Sequence, residues 1–132
     1  KVNLEEELKN GLALKELITK GLIDTSHDIS DGGLLVALTE MCMKNNIGYN
    51  VNITRKNLNS YLFGEDQSRY AVAIEKNNIE EVRSFLIDKN IFFEEIGQTN
   101  KDNIILNDEK ISIAELRDLY ENWFNNYLSE TS

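Results

Sequence analysis

The sequence predicts an α+β fold: two β-α-β units in a ferredoxin-like arrangement, with helices packed on a mixed sheet, plus a C-terminal hairpin and helix. Two observations predict it. Along residues 22–97, apolar segments of strand length alternate twice with segments of helical periodicity. After residue 102 the pattern changes to two short apolar runs and then to a final helical pattern. A chain of 132 residues suits one core and is too short for two, so we expect one domain over residues 1–132.

The chain starts with an amphipathic helix over residues 3–21, in which leucine and isoleucine recur near helical spacing. Gly11 could interrupt this helix, and Gly21 is placed to cap its C-terminus. The first β-α-β unit follows, with a strand over residues 22–29 and a helix over residues 31–45. Its second strand is predicted where four apolar residues alternate with polar ones: Ile47, Tyr49, Val51 and Ile53.

The second β-α-β unit begins after a polar stretch and a short apolar segment, Tyr61-Leu62-Phe63, that stops at a glycine. A continuous apolar run over residues 70–74 predicts a strand covered on both faces. A helix over residues 79–86 and a strand over residues 91–96, ending at Gly97, complete this unit.

The C-terminal part combines hairpin chemistry with a capped helix. Residues 103–106 and 109–111 predict two short strands that turn at Asn107-Asp108. Ser112 and Glu115 have the spacing of a capping box, so the last helix is predicted to begin after Ser112.

Composition and charge restrict the classes of function. A formal net charge of −9 argues against a nucleic-acid partner, because such proteins need a basic face. The longest apolar run, Leu34 to Leu38, is far shorter than a bilayer span, and no signal peptide precedes the first helix. We therefore expect no membrane association and a cytoplasmic protein. The single cysteine, Cys42, falls on the apolar face of a helix and is expected to pack there.

The most informative stretch is His27-Asp28-Ile29-Ser30-Asp31-Gly32-Gly33, which predicts a strand that turns into a helix. Ser30 suits the N-cap, Asp31 suits the positive end of the helix dipole, and the two glycines leave backbone amides uncovered. Such amides favour a phosphate, which the two aspartates would repel unless a divalent cation lay between them. The stretch therefore indicates a nucleotide at Ser30, Gly32 and Gly33, with magnesium at Asp28. It is equally ordinary chemistry for a helix start that binds nothing.

A second candidate site is the charged loop Gly64-Glu65-Asp66-Gln67-Ser68-Arg69. Glu65 and Asp66 could bind metal, and Gln67 could bind an amide or a ribose hydroxyl. Alternatively, Glu65 and Arg69 form an ion pair that only fixes the loop. His27 is more simply a hydrogen-bonded structural residue, because no second histidine completes a zinc or nucleophilic site. We predict no catalytic residue in this chain.

Residues 25–41 and 62–70 together resemble the last domain of formylglycinamide ribonucleotide amidotransferase, the synthetase subunit of the fourth step of purine biosynthesis. This family lies within the superfamily of domains like the C-terminal domain of aminoimidazole ribonucleotide synthetase. The resemblance extends from Leu4 to Trp123, and because the chain stops soon afterwards it resembles the small form of the subunit. Since the chain begins at Lys1 without methionine, we expect a piece of a longer polypeptide, namely its second flanking α/β domain.

The resemblance implies an ATP-dependent ligase that converts formylglycinamide ribonucleotide to formylglycinamidine ribonucleotide, with Mg²⁺ and ATP or ADP as cofactors and ammonia from glutamine. It also implies as partners the remaining domains of the subunit, a glutaminase subunit, a small accessory subunit and small-molecule substrates. In the long form, positions matching Asp28 and Ser30 contact magnesium and nucleotide at an auxiliary site. Glu65-Asp66-Gln67 resembles a substrate-contacting Glu-Ser-Gln of the first flanking domain, with Asp66 departing from the serine.

The role of this single domain stays open between two classes. It could contribute an auxiliary nucleotide site, or it could be a non-catalytic assembly module that has inherited the motif. The matching domain of another ATP-using relative, such as aminoimidazole ribonucleotide synthetase or selenophosphate synthetase, is a further alternative. In each case the isolated chain is expected to be inactive, because it has no phosphate-gripping lysine loop.

Separated from the other domains of the subunit, such a domain should expose apolar surface. Tyr61-Leu62-Phe63 is the predicted part of that surface. We therefore expect self-association at high concentration, despite the repulsion from the net charge of −9.

Overall fold

The structure is a computed structural model that describes residues 3–64 and 68–130, without the side chains of residue 45 and residues 123–130. Its helices are α1 (Leu4–Thr19), α2 (Gly33–Asn45), α3 (Leu58–Phe63), α4 (Ile79–Asp88) and α5 (Ile113–Glu130), with a 3₁₀ turn at Lys76–Asn78. Its strands are β1 (Thr25–Asp28), β2 (Gly48–Val51), β3 (Tyr70–Ala73), β4 (Gly97–Asn100), β5 (Asn103–Leu106) and β6 (Glu109–Ser112). The predicted α+β class is confirmed, and no helix in the described part has the length and hydropathy to cross a bilayer.

The chain forms two compact units, and each is described by itself. The first consists of Lys1–Met41 with Arg55–Glu95, and the second of Cys42–Thr54 with Ile96–Ser132. The single domain over residues 1–132 stays a prediction.

In the first unit, α1 runs through Gly11 without the interruption that the sequence suggested. At its end the Gly21 N–H donates to the Ile18 carbonyl, and the Leu22 N–H donates to the Leu17 carbonyl. These two bonds form a Schellman motif, with Gly21 at φ +68°. Gly21 is therefore confirmed as the residue that ends the helix.

One core cluster of the first unit packs along the second half of α1. It contains Leu17, Leu22, Ile23 and Val82, with Leu14, Ile74, Phe85 and Leu86 packed against them. Leu4, Leu8 and Leu12 on the first half are exposed. The helix is therefore amphipathic along its length, but only its C-terminal turns contribute to this core.

The sheet of the first unit has two antiparallel strands, β1 and β3, in a register that pairs Thr25 with Ala73 and Asp28 with Tyr70. The prediction that β3 is covered on both faces is wrong, because Ala71 is buried whereas the neighbouring Val72 is exposed. Small and β-branched residues allow a continuous apolar run even when one face of a strand stays open.

The sheet of the second unit is mixed, as predicted, with the strand order β4-β2-β5-β6. Strand β2 pairs antiparallel with β4 and parallel with β5, and β5 pairs antiparallel with β6. The strand pairing differs from two β-α-β units in a ferredoxin-like arrangement, because β1 pairs with β3 and not with β2. Apolar periodicity predicts that a segment is a strand, but it does not predict which strand lies beside it. The pairing of the strands could therefore not be predicted from this pattern.

The predicted strand over residues 91–96 is wrong, since this segment has no regular secondary structure and β4 begins only at Gly97. Its side chains explain the difference. Glu94 and Glu95 bond to arginines of the same unit, and Phe92 is 85% exposed. Strand β4 itself is polar and mostly exposed, so it carries no apolar alternation that could reveal it.

The hairpin and the last helix agree with their predictions. Strands β5 and β6 turn at Asn107, which has φ +53° and whose side chain bonds to both the N–H and the carbonyl of Ile53. The Glu115 N–H donates to the Ser112 hydroxyl at 3.0 Å, as the capping box requires. Buried Ile113 then fixes the first turn of α5 in the second unit.

Helix α3 changes the prediction for the segment Tyr61-Leu62-Phe63. Leu62 is only 3% exposed and belongs to the interior, whereas Phe63 is 51% exposed. The prediction that Leu62 is part of an exposed surface is therefore wrong, because a helical turn points neighbouring side chains in different directions. Self-association of the chain stays a prediction that can rest on Phe63 but not on Leu62.

Candidate functional site

The stretch that the sequence singled out forms a strand, a tight turn and a helix, with the helix starting later than predicted. The Gly33 N–H donates to the Ser30 carbonyl at 3.1 Å, which closes a turn over residues 30–33. Helix α2 begins at Gly33, and no acidic residue lies in its first turn. The predicted roles of Ser30 as N-cap and of Asp31 at the helix dipole are therefore wrong. Two successive glycines at positive φ delay the helix, because that backbone conformation is not α-helical.

Both glycines have a structural reason within the first unit. Gly32 and Gly33 have φ +81° and +75°, a region that other residues rarely adopt. A Cβ on Gly33 would lie 2.7 Å from the backbone of Leu62 and Phe63. A Cβ on Gly32 would lie 2.6 Å from Cγ2 of Val36. The end of α3 therefore packs against the turn at a distance that only glycine allows.

The structure brings the two candidate motifs together. The Ile29 N–H donates to the Arg69 carbonyl at 2.9 Å, and Gly33 lies against Phe63. Both ends of the charged loop therefore flank the turn at residues 30–33. The Nη2 of Arg69 donates to the Gly64 carbonyl at 2.7 Å, which ties the two ends of the loop to each other. Glu65, Asp66 and Gln67, and with them the alternative of a Glu65–Arg69 pair, lie outside the described residues.

Asn10 is a residue that the sequence reasoning missed. Its Nδ2 donates to the Ser68 carbonyl at 2.9 Å in a partly buried position, and Ser68 has φ +68°. Asn10 lies on α1, far from the loop in sequence, and a single asparagine on a helix gives no signal that could have revealed this contact.

The polar side chains of the turn face solvent. Asp28, Ser30 and Asp31 are exposed, and Gly33 is buried. Across residues 3–64 and 68–130, no three His, Cys, Asp or Glu side chains gather into a group that could hold a metal ion by itself. Asp28 can therefore offer a single carboxylate, which is the usual protein contribution to magnesium that is also bound by phosphate and water.

His27 has hydrogen-bond partners and Cys42 is buried, as predicted. His27 Nε2 lies 3.1 Å from Glu40 Oε2, and its Nδ1 lies 2.7 Å from the Asp28 carbonyl oxygen, so the ring links β1 to α2. Cys42 is buried, and burial raises the pKa of its thiol. A buried thiol with a raised pKa is a poor nucleophile.

The family model of the AIR synthase related protein, C-terminal domain, matches residues 1–107. This chain belongs to that family. The match contains the strand, the turn and helix α2, together with α3 and the ends of the charged loop.

Proteins named phosphoribosylformylglycinamidine synthase subunit PurL match this chain over nearly its whole length. The one from Pelagibacter ubique is 38% identical over 130 residues, which cover 96% of this chain and 18% of that protein. The one from Bartonella bacilliformis is 34% identical over 133 residues, which cover 99% of this chain and 18% of that protein. The chain thus spans about a fifth of the length of these relatives.

Solved structures from Thermotoga maritima share the fold. PurL complexed with FGAR matches with a TM-score of 0.69 at 19% identity, over 83% of this chain and 20% of that chain. The structure of PurLQS matches with a TM-score of 0.68 at 18% identity, over 81% of this chain and 21% of that chain. At such identities the likeness shows the fold alone.

Proposed function

We propose that this chain is the C-terminal flanking domain of the synthetase subunit of phosphoribosylformylglycinamidine synthase. This enzyme is an ATP-dependent ligase that forms formylglycinamidine ribonucleotide from formylglycinamide ribonucleotide, glutamine and ATP. The observation that carries the proposal is the 38% identity to a subunit of that name over 96% of this chain. The remaining domains of the subunit, a glutaminase subunit and a small accessory subunit are the proposed partners, in the cytoplasm.

Within the enzyme, the chain's proposed role is an auxiliary nucleotide site at the turn. Ser30 and Gly32 would lie at the nucleotide and Asp28 at Mg²⁺, with Glu65, Asp66, Gln67 and Arg69 on the neighbouring loop. Gly33, which the sequence also suggested for the nucleotide, is buried and its N–H already donates to the Ser30 carbonyl, so it is left out of the proposed site. The support is that the two ends of the charged loop flank the turn, beside which Asp28 offers an exposed carboxylate without an arginine or lysine partner among the described residues. Magnesium held by one carboxylate and by phosphate oxygens would compensate the negative charge of a nucleotide.

The purified chain by itself is expected to show no ATP-dependent amidation of formylglycinamide ribonucleotide, even with ammonia supplied directly. The physical reason is that the described residues include no group of acidic or histidine side chains that could hold a metal ion by itself, and that the thiol of the single cysteine is buried with a raised pKa. Product formation is measured with the chain alone and with the full-length subunit as the positive control. Turnover by the chain alone would overthrow the proposed division of roles.

The change Asp28→Asn in the full-length subunit is expected to weaken magnesium-nucleotide binding at the auxiliary site by about tenfold, because a charged ligand is lost without a change of shape. Thermal stability should change little, since the Asp28 side chain is 66% exposed. Calorimetric titration with magnesium-ADP and thermal unfolding are measured on the same protein.

The matched control for this change is Asp24→Asn, which removes the same charge from another exposed position, just before β1. Equal weakening of magnesium-nucleotide binding by both variants would show that the effect comes from the change in net charge alone. A loss of stability without a loss of binding would favour the alternative, a non-catalytic assembly module in which Asp28 is only a turn residue.

A further inference from the structure

A shallow groove of about 400 Å³ lies in the first unit, and its lining residues are other than those of the turn at residues 30–33. It is lined by Arg55, Lys56, Asn57, Ser60 and Tyr61. These residues form the segment that leads into α3 and the first turns of that helix. The groove is shallow and open, so a bound molecule would stay partly in solvent.

The guanidinium of Arg55 is held in one orientation at the edge of this groove. Its Nη2 donates to both carboxylate oxygens of Glu94 at 2.7 Å, and the group lies 4.3 Å from the centre of the Tyr61 ring. The Tyr61 hydroxyl also donates to Glu94, at 3.0 Å. The hydrogen bond from Arg55 holds the pKa of Glu94 below its ordinary value, so this carboxylate is ionised and already compensated. Arg55 makes no other hydrogen bond within residues 3–64 and 68–130, so its remaining N–H groups can donate to a further acceptor.

The remaining polar groups of the groove are donors for which the described residues provide no partner. Asn57 occupies the N-cap position of α3 but makes no side-chain cap hydrogen bond. Lys56 has no carboxylate within ion-pair distance, and Ser60 has no side-chain partner, among the residues that the structure describes. An ammonium, an amide and a hydroxyl therefore stand beside the fixed guanidinium.

The charge of the groove is opposite to that of the chain. Arg55 and Lys56 against Glu94 leave one excess positive charge, whereas the whole chain carries −9. Several donors around a positive centre suit an acceptor with several oxygens and a negative charge, which describes a phosphate group. We propose that this groove binds the phosphate of a small phosphorylated molecule. Tyr61, one ring face of which Arg55 covers, also lines the groove and can contact the group attached to that phosphate.

The test is a titration of the ¹⁵N-labelled chain with inorganic phosphate, ribose 5-phosphate and ribose, followed by amide chemical shifts. Both phosphates should produce saturable shifts centred on residues 55–61, and ribose should produce none. Ribose 5-phosphate should bind more tightly than inorganic phosphate if the attached group contacts Tyr61. Equal binding would limit the site to the phosphate itself. Shifts with ribose as large as those with ribose 5-phosphate, or no saturable shift with either phosphate, would overturn the proposal.

The decisive variant is Lys56→Gln, which is expected to weaken phosphate binding by about fivefold or more, because a charge-assisted hydrogen bond is lost. Lys110→Gln is its matched control, because it removes the same charge from an exposed position on β6 of the other unit. Equal weakening of phosphate binding by both variants would show a net-charge effect and would overturn the proposal. Asp28→Asn should leave phosphate binding at this groove intact, so this site and the proposed nucleotide site can fail independently.

Discussion

Replacing Gly33 by alanine is expected to lower the free energy of unfolding by about 3 kcal/mol or more. Two costs add up: the backbone strain of a non-glycine residue at positive φ, and the steric overlap of the new Cβ with neighbouring backbone atoms. The backbone at this residue has φ +75°, and the new Cβ would lie 2.7 Å from the carbonyl oxygen of Leu62 and from backbone atoms of Phe63. Backbone atoms cannot rotate away as a flexible side chain can. Urea unfolding of the chain, followed by circular dichroism, measures the loss.

Gly21→Ala is the control for this prediction. Gly21 has nearly the same φ, +68°, but no atom lies within 4 Å of an added Cβ. It should therefore cost only the conformational strain, about 1 to 2 kcal/mol. Equal losses for the two variants would mean that α3 does not pack against Gly33 as the structure shows.

Replacing Leu17 by alanine is expected to cost about 2 to 5 kcal/mol, because it leaves a cavity in the core of the first unit. Leu17 is 2% exposed and packs with Leu22, Ile23 and Val82. The same unfolding experiment measures the effect.

Leu8→Ala on the same helix is the matched control, since the chemical change and the helix propensity are identical. Leu8 is 65% exposed, so its replacement should change the free energy of unfolding by no more than about 0.5 kcal/mol. A large loss at Leu8 would show that the first half of α1 is covered in solution, for example by a second copy of the chain.

The convergence of the turn and the charged loop has a consequence for the proposed site. Residues 30–33 and the two ends of the loop are joined by the bond from Ile29 to Arg69 and by the contact at Gly33. A change at Gly33 would therefore disturb both motifs together. Asn10 and Arg69 hold the ends of the loop through side-chain bonds to backbone carbonyls, so the base of the loop is fixed whatever the loop binds.

Local sequence predicted the elements that depend on local chemistry. The Gly21 helix end, the hairpin at Asn107 and the Ser112 cap with its N–H partner at Glu115 are confirmed. Each of these depends on a few neighbouring residues whose backbone preferences and side-chain hydrogen bonds act within one turn. The motifs at residues 27–33 and 64–69 were likewise visible, because glycine and acidic residues cluster there.

Only the tertiary structure decided how these elements combine. The pairing of β1 with β3, the absence of a strand over residues 91–96 and the burial of Leu62 all depend on partners distant in sequence. Gly33 shows the reason most clearly. Its sequence neighbours suggested room for a phosphate, whereas the backbone of Phe63, thirty residues later, occupies the space that its missing side chain leaves. Periodicity and turn chemistry determine what a segment can be, but the atoms that fill the space around it are supplied by the rest of the fold.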